Sequence, residues 1–312
     1  MVRMFVEEAK LAVQLSHAGI AQVFDLGRVG DDYYIAMEHV DGASVLALLE
    51  RHGARGARLP LGAVCHVLGQ VADALHYAHS ACDRAGRPLG IIHRDVSPAN
   101  VLVSLAGDVK VIDFGLAKAE NRVSQTRDGV VKGKLAYLSP EQAQGRAIDR
   151  RTDLFSLGVC AWELLTGKRA FKRDDDRETV LAIRRGVIDP RRATRACPRR
   201  SSGSCCGALA PDPDRRYGSA LELGEDLEAF VREARLVFTK DDLATLMRAT
   251  FPERFEDDEP AIELVREKRP RASDEDTLDD DVVPTDPVIE LALRDGGDTE
   301  PSILVPDHPV RR

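Results

Sequence analysis

Segment 153–165, with the sequence DLFSLGVCAWELL, is apolar on nearly every side of a helix. A helix without a polar face must be surrounded by other elements, so this segment predicts a helical domain built around it. The spacing of apolar residues predicts further amphipathic helices at 5–16, 61–78, 178–186, 219–232 and 240–250. β-rich runs at 20–29 and 32–40 predict a hairpin, and two short strands at 100–103 and 109–112 flank a Gly-Asp turn. The predicted fold class is therefore α+β.

Composition excludes several classes of protein. No run of about 18 apolar residues is present, and the first ten residues lack the apolar core of a signal peptide, which predicts a cytoplasmic protein without a membrane partner. A net charge of −8 argues against nucleic-acid binding, which needs a basic surface. The six cysteines show neither the spacing of metal ligands nor that of a disulfide framework.

The last part of the chain, 253–312, differs in character from the rest. It holds 19 acidic and 8 basic residues with scattered prolines. Such a segment buries too little apolar surface to offset its chain entropy, so we predict a disordered acidic tail.

Four short motifs follow one another in the first half of the chain. They are His93-Arg94-Asp95 with Asn100, Asp113-Phe114-Gly115, Ser139-Pro140-Glu141, and Asp153 at the start of the apolar helix. The layout around Asp95 and Asn100, between two β-branched runs, is typical of a short loop that aims a carboxylate and a carboxamide at one site. Each motif alone is weak, but their joint order and spacing make chance a poor explanation.

Together these motifs resemble those of bacterial serine/threonine protein kinases of the eukaryotic-like, or Hanks, type over about residues 1–235. The resemblance implies a protein-kinase-like fold with a mainly helical C-lobe at 41–235 and a C-terminal helix at 236–252. Residues 1–40 would be the remnant of an N-lobe, namely helix αC and a β-hairpin. It also implies ATP and Mg²⁺ as cofactors, with Mn²⁺ as an alternative metal, and a protein substrate with serine or threonine acceptors. A regulatory protein partner is a further expectation, whereas the oligomeric state stays open.

The resemblance assigns roles to the catalytic loop. Asp95 would accept the proton of the attacking hydroxyl, and Asn100 and Asp113 would supply the hard oxygen ligands that Mg²⁺ prefers. Arg94 would hold a phosphorylated activation segment through its planar guanidinium. His93 and Ser97 complete the predicted catalytic set.

The same resemblance predicts a nucleotide pocket. Its residues would be Met37 as gatekeeper, the backbone of Glu38 and Val40 against adenine, and Leu102 and Ile112 as the floor. Ser124 and Thr126 are candidate phosphoacceptors in the activation segment, although solvated loop hydroxyls are an equally good interpretation. Glu141 and Arg216 are predicted to form an ion pair in the C-lobe.

Three features depart from the family pattern. Ser97 stands where most of these kinases have a lysine that contacts the transferred phosphate, which predicts weaker stabilisation of the transition state. No Gly-rich loop precedes the predicted hinge, and Glu8, which matches the family's αC glutamate, has no strand lysine to pair with. We therefore expect a truncated gene or a true start upstream of Met1. Segment 189–207, DPRRATRACPRRSSGSCCG, suits neither the expected loop nor a helix, which suggests a pair of compensating frameshifts.

Two other functions compete with that of a protein kinase. One is a catalytically inactive kinase-like module, or pseudokinase, that binds a partner through its helical lobe and acidic tail. The other is a small-molecule phosphotransferase of the aminoglycoside type, which uses a related aspartate–asparagine loop. The Ser-Pro-Glu segment and the helix that begins at Asp153 build a peptide platform and argue against the latter.

Overall fold

The computed structural model describes residues 11–29, 32–114, 134–173, 175–186, 205–255 and 290–292. Its strands are β1 (Val23–Val29), β2 (Asp32–Met37), β3 (Gly42–Ser44), β4 (Val101–Ser104), β5 (Val109–Val111) and β6 (Glu290–Ala292). Its α-helices are α1 (Val45–Ala54), α2 (Leu61–Ser80), α3 (Pro140–Ala143), α4 (Arg151–Thr166), α5 (Asp176–Arg185), α6 (Cys205–Ala208), α7 (Ala220–Glu233) and α8 (Lys240–Thr250). Short 3-10 turns lie at Lys134–Tyr137, Pro213–Arg215 and Pro252–Arg254.

The first sheet has the order β1-β2-β6. β1 and β2 form an antiparallel hairpin in which Gly27 lies opposite Tyr34, and the Tyr34 ring fills the space where a side chain at Gly27 would project. β6 pairs antiparallel with the other edge of β2, with Glu290 opposite Ala36. β2 leads directly into the predicted hinge at Glu38.

The second sheet has the order β3-β4-β5, in which β3 follows the predicted hinge and β4 follows the catalytic loop along the chain. Leu102 of β4 has Ser44 on one side and Lys110 on the other. Gly107 in the turn between β4 and β5 has φ +85° and lies against the backbone at the start of α8. A side chain there would collide with that backbone, so the turn requires glycine.

The core of the large lobe surrounds α4, which contacts both α2 and α6. From Thr152 to Leu164 every residue of α4 is buried, as its apolar sequence requires. The helix ends at Gly167 in the left-handed conformation, a common helix terminator. α7 packs along α2 on the outer side, and α8 lies against α1.

The predicted α+β fold and most of the predicted elements are confirmed, and α8 has the predicted bounds. The helix predicted at 5–16 differs: within the described residues it ends at Ala12, because the chain then turns to bury Leu15 and Ile20 in the core. The acidic tail predicted at 253–312 lies mostly outside the described residues, so its disorder stays a prediction; the structure describes there the end of the 3-10 turn Pro252–Arg254 and strand β6. The strand forms there because the outer edge of β2 offers unpaired backbone groups.

Candidate active site

The catalytic loop is attached to the core through Asp153 in the first turn of α4. This carboxylate is fully buried and accepts hydrogen bonds from the backbone N–H groups of His93 and Arg94, both at 2.8 Å. A third bond comes from Nε2 of His79 at 2.7 Å. Burial alone would raise the pKa of Asp153, but the hydrogen bond and charge of His79, with His93 and Arg94, hold it below its ordinary value. Asp153 therefore stays ionised and fixes the loop.

His93 links the loop to the strand that precedes Asp113. Its Nδ1 accepts from the backbone N–H of Asp95 at 3.2 Å, and its Nε2 lies 2.9 Å from the carbonyl of Ile112. This network assigns the proton to Nε2. The ring is fully buried, and its centre lies 4.6 Å from that of the Phe114 ring at an interplanar angle of 56°. His93 therefore links the backbone of Asp95 to that of Ile112.

The backbone is strained at two of the predicted site residues. Arg94 has φ +70° and Asp113 has φ +63°, values that non-glycine residues seldom adopt. Such outliers persist where surrounding contacts enforce them and are concentrated at functional sites. At Arg94 the enforcing contacts include Asp153 and a hydrogen bond from the Gln142 side chain to the Arg94 carbonyl at 2.9 Å.

Asp95 and Asn100 lie in direct contact. The Asn100 amide nitrogen donates to the Asp95 carboxylate at 2.9 Å and to its backbone carbonyl at 2.8 Å. Because both amide protons are used, the amide oxygen of Asn100 is left as an acceptor. The carbonyl of Asn100 also accepts from the N–H of Ile112 at 3.0 Å, which brings Asp113 beside the loop.

A divalent cation fits this pair of oxygen donors. Mg²⁺ commonly takes one or two protein ligands and completes its shell with water and phosphate oxygens. Asn100 and Asp113 carry oxygen donors that could hold such a cation, whereas no group of three His, Cys, Asp or Glu residues able to bind a metal occurs in the described part of the chain.

Ser97 lies deeper than the sequence suggests. Its side chain is buried, and its hydroxyl has no hydrogen-bond partner among the described residues. The Ser97 hydroxyl is therefore shielded from solvent in this geometry, and its place in the catalytic set stays a prediction. The catalytic loop carries no lysine in its place.

The predicted hinge has a free acceptor and a free donor. The N–H of Glu38 donates to the carbonyl of Gln22 at 2.7 Å, but the carbonyl of Glu38 and the N–H of Val40 make no hydrogen bond within the described residues. One acceptor and one donor, two residues apart in the segment that follows β2, suit the edge of a purine. Met37 and Ile112 line an apolar cavity behind the hinge, together with Ile35, Val111 and Phe114.

Sequence reasoning did not identify the partner of the hinge glutamate. The Glu38 carboxylate forms an ion pair with Lys110 of β5 at 2.6 Å and accepts from the N–H of Gln22 at 3.1 Å. Lys110 occupies the same face of β5 as Ile112, so alternation along a strand was the available signal. The ion pair ties the hinge to the floor of the pocket.

The predicted C-lobe ion pair is present. Arg216 binds Glu141 through two parallel hydrogen bonds of 2.7 and 2.8 Å, and both side chains are buried. Thr152 donates to the same carboxylate at 2.8 Å. Ser139 caps α3 in a capping box with Gln142, which fixes the Ser-Pro-Glu segment against the catalytic loop.

A second buried network in this platform was absent from the predictions. The Tyr137 hydroxyl donates to Glu163 of α4 at 2.7 Å, and Arg169 contacts both of these side chains. Burial raises the pKa of Tyr137, and the charge of Glu163 adds to the effect, so the phenol stays protonated.

The remaining predicted residues are placed as follows. Leu102 is half-buried in β4 but does not line the cavity behind the hinge. Glu8, Ser124, Thr126 and most of segment 189–207 lie outside the described residues.

None of the helices among the described residues combines the length and apolar character needed to span a membrane.

Comparisons with known proteins find relatives over most of the chain. The model of the family described as "Protein kinase domain" matches residues 2–226. The chain is 42% identical over 233 residues to the tyrosine-protein kinase MasK of Myxococcus xanthus, which covers 74% of this chain and 36% of that protein. It is 37% identical over 232 residues to the serine/threonine-protein kinase PknL of Mycobacterium tuberculosis, covering 73% and 55% of the two chains. For the serine/threonine-protein kinase PrkC of Bacillus subtilis the identity is 34% over 236 residues, covering 75% and 34%.

The chain therefore matches between about a third and just over half of the length of these relatives. The ordered motifs, the loop anchored on Asp153 and the family match lead to one conclusion. The chain belongs to the protein kinase domain family.

Proposed function

We propose that this chain is the catalytic part of an ATP-dependent serine/threonine protein kinase. The observation that carries the proposal is the contact between Asp95 and Asn100, with Asp113 held beside them through the bond from Ile112 to Asn100. Phosphoryl transfer needs positioning and charge neutralisation more than covalent help from the protein, and this triad supplies both.

In the proposed reaction the acceptor hydroxyl oxygen attacks the terminal phosphorus of ATP, the bond from that phosphorus to ADP breaks, and the hydroxyl proton passes to Asp95. Asn100 orients Asp95 through its amide nitrogen. Its free oxygen and the carboxylate of Asp113 would hold Mg²⁺, or Mn²⁺ as an alternative. The metal, when bound, neutralises charge on the phosphates. The cytoplasm, where ATP and Mg²⁺ are available, is the compartment that this reaction requires.

The remaining predicted residues receive supporting roles. Glu38 and Val40 would meet adenine through backbone groups, Met37 and Ile112 would line the pocket, and Leu102 would lie beneath it. We further propose that Arg94 holds the activation segment and that Glu8 belongs to the small lobe of the site. A protein substrate and a regulatory protein partner are the interactions that this assignment implies.

The acceptor residue needs a direct measurement, because the relative from Myxococcus xanthus is named a tyrosine-protein kinase while the other two are named serine/threonine-protein kinases. The catalytic loop has Ser97 where a lysine would mark a serine/threonine enzyme. Phosphoamino-acid analysis of the product separates the two classes. Phosphoserine or phosphothreonine supports the proposal, and phosphotyrosine alone overturns its acceptor class.

The test of activity uses purified chain, labelled ATP, Mg²⁺ and a general protein substrate. Asp95→Asn should lower the rate by about 10²–10⁴-fold, the usual contribution of a positioned acid or base. Asp113→Asn should abolish phosphate incorporation, and asparagine tolerates the left-handed backbone of this position. Asp214→Asn, at an exposed carboxylate, is the control. Incorporation that survives both active-site changes, or no incorporation by the unchanged chain together with no thermal shift from Mg·ATP, rejects the kinase in favour of the binding module.

A further inference from the structure

Residues 236–255 form a compact unit beyond the end of the family match at residue 226, and we name it the C-terminal brace. It consists of α8 and the 3-10 turn that follows. Leu243, Met247 and Phe251 recur at four-residue spacing on one face and are almost completely buried. This face belongs to the main hydrophobic core, so the brace is an integral part of the folded lobe.

Arg51 makes the shorter hydrogen bond between α1 and the brace, and Arg55 at the end of α1 adds bonds of 3.4 Å to the carbonyls of Ala249 and Thr250. The Arg51 guanidinium donates to the carbonyl of Thr250 at 2.9 Å, pairs with Glu253, and lies 4.3 Å from the centre of the Phe251 ring. It thus satisfies the carbonyl end of α8, where a cation also meets the negative end of the helix dipole. One side chain makes three kinds of contact across this junction.

Two further contacts place the brace on the second sheet. At its start, Lys240 pairs with Asp108 at 2.5 Å, and the adjacent Gly107 touches the Lys240 backbone. At its end, the guanidinium of Arg254 donates to the carbonyl of Gly42. The brace therefore extends from the turn between β4 and β5 to Gly42, the first residue of β3.

α1 connects these contacts to the nucleotide pocket and the catalytic loop. It follows β3, which begins two residues after Val40, and Ser44 caps its first turn. The N–H of Leu46 donates to the carbonyl of Pro98 in the catalytic loop at 2.8 Å. Movement of α1 would therefore displace both the hinge and the loop.

We propose that the C-terminal brace is a positioning element of the nucleotide pocket, in which Arg51 fixes α1 and thereby the spacing between the hinge and the pocket floor. This inference rests on the proposed function for its link to nucleotide binding. Its structural half, the rigidity of the backbone at 38–44, does not depend on that function.

The test compares Arg51→Met, which keeps an apolar stem but removes the charge and donors, with Arg87→Met. Arg87 is a matched control, since it is 80% exposed and pairs with Asp83 away from the brace. In the full chain without nucleotide, Arg51→Met should accelerate amide exchange at 38–44 by about tenfold and leave α4 unchanged. Arg87→Met should change neither.

The second readout is nucleotide binding. Arg51→Met should raise the Kd of Mg·ADP and the KM for ATP by about five- to tenfold, with kcat at saturating ATP within about twofold of the unchanged chain. A purely structural defect would instead reduce the active fraction and lower kcat at unchanged Kd. Glu253→Gln removes the charge that pairs with Arg51 and should raise the Kd of Mg·ADP and the KM for ATP by a smaller factor. If Arg51→Met disturbs α4, the Glu253→Gln variant replaces it as the test.

The outcomes separate the two proposals. Suppose that Arg51→Met accelerates amide exchange at 38–44 but that neither the unchanged chain nor any variant binds nucleotide. The brace then still fixes this backbone, and the proposed function is rejected. If α8 loosens in Arg51→Met while exchange at 38–44 and the Kd of Mg·ADP stay at the values of the unchanged chain, the brace does not position the pocket and the inference is overturned.

Discussion

Asp153→Asn should strongly destabilise the fold, although it changes only one oxygen into an amide group. In the present structure both carboxylate oxygens are acceptors, one for the N–H of Arg94 and the other for the N–H of His93 and for His79. Asparagine keeps a single acceptor and turns an N–H₂ group toward the remaining donors. At least one buried backbone N–H then loses its partner.

The cost follows from these contacts. A buried donor left without a partner costs about 1–3 kcal/mol. The lost charge adds to this, because removing one partner of a buried, hydrogen-bonded ion pair typically costs ~3–5 kcal/mol in total. With a urea dependence of ~3 kcal/mol per M, the midpoint of unfolding should fall by ~1–1.7 M.

Urea unfolding followed by circular dichroism measures this loss, and Asp214→Asn is the matched control. Asp214 is also an ion-pair carboxylate, with Arg151 at 2.7 Å, but it is 83% exposed. The Asp214→Asn change should lower the free energy of unfolding by under ~1 kcal/mol. Because the pKa of Asp153 is held below its ordinary value of 3.8, the charge contributes its full stability above that pH and loses it as pH falls through the lowered pKa. The difference in unfolding free energy between the unchanged chain and Asp153→Asn should therefore narrow below pH ~3.8.

A stability loss for Asp153→Asn no greater than that for Asp214→Asn would refute the reasoning. The reasoning would also be refuted if the difference in unfolding free energy widened in acid, because the carboxylate would then not be the stabilising form.

Three further changes test separate parts of the structure. Arg216→Gln leaves the buried Glu141 carboxylate without its cation and should lower the free energy of unfolding by ~3–5 kcal/mol at pH 7. Burial raises the pKa of Glu141, but the bonds from the guanidinium outweigh it and lower the pKa, so the cost should shrink in urea unfolding below pH 4.5. Gly107→Ala places a methyl group 2.2 Å from a backbone oxygen and should lower the free energy of unfolding by at least ~2 kcal/mol. Gly56→Ala, where the methyl group meets open space, should lower it by ~1 kcal/mol, and thermal unfolding measures both. Lys110→Met breaks the ion pair with the hinge glutamate and should weaken Mg·ADP binding about five- to tenfold by calorimetry, while unchanged affinity contradicts this role.

The elements that the sequence predicts well are those whose apolar spacing alone decides their burial. α4 and α8 match their predicted bounds within two residues because one is apolar all round and the other has a single apolar face. α1 is missing from the predictions, although Ser44 was an available N-cap signal before Val45. Short helices with few periodic positions are harder to recognise in this way.

The site shows the same division. The motifs place Asp95, Asn100 and Asp113 together because their order is characteristic of a whole family. His79, by contrast, meets Asp153 only because α2 and α4 cross at that point, 74 positions apart in the chain. Pairings of this kind depend on packing angles, which residue types and spacing do not encode locally.

Strand β6 has a consequence for how the chain is made. Its pairing with β2 joins residues about 250 positions apart, whereas β1 and β2 are joined by a tight turn. On the ribosome β6 emerges about 250 residues after the hairpin, so during that interval the edge of β2 that pairs with β6 has no partner among the described residues. Such an edge is a template for pairing with other chains. Translation products that stop before Glu290 should therefore be the aggregating species in the cell, although they carry the complete catalytic loop.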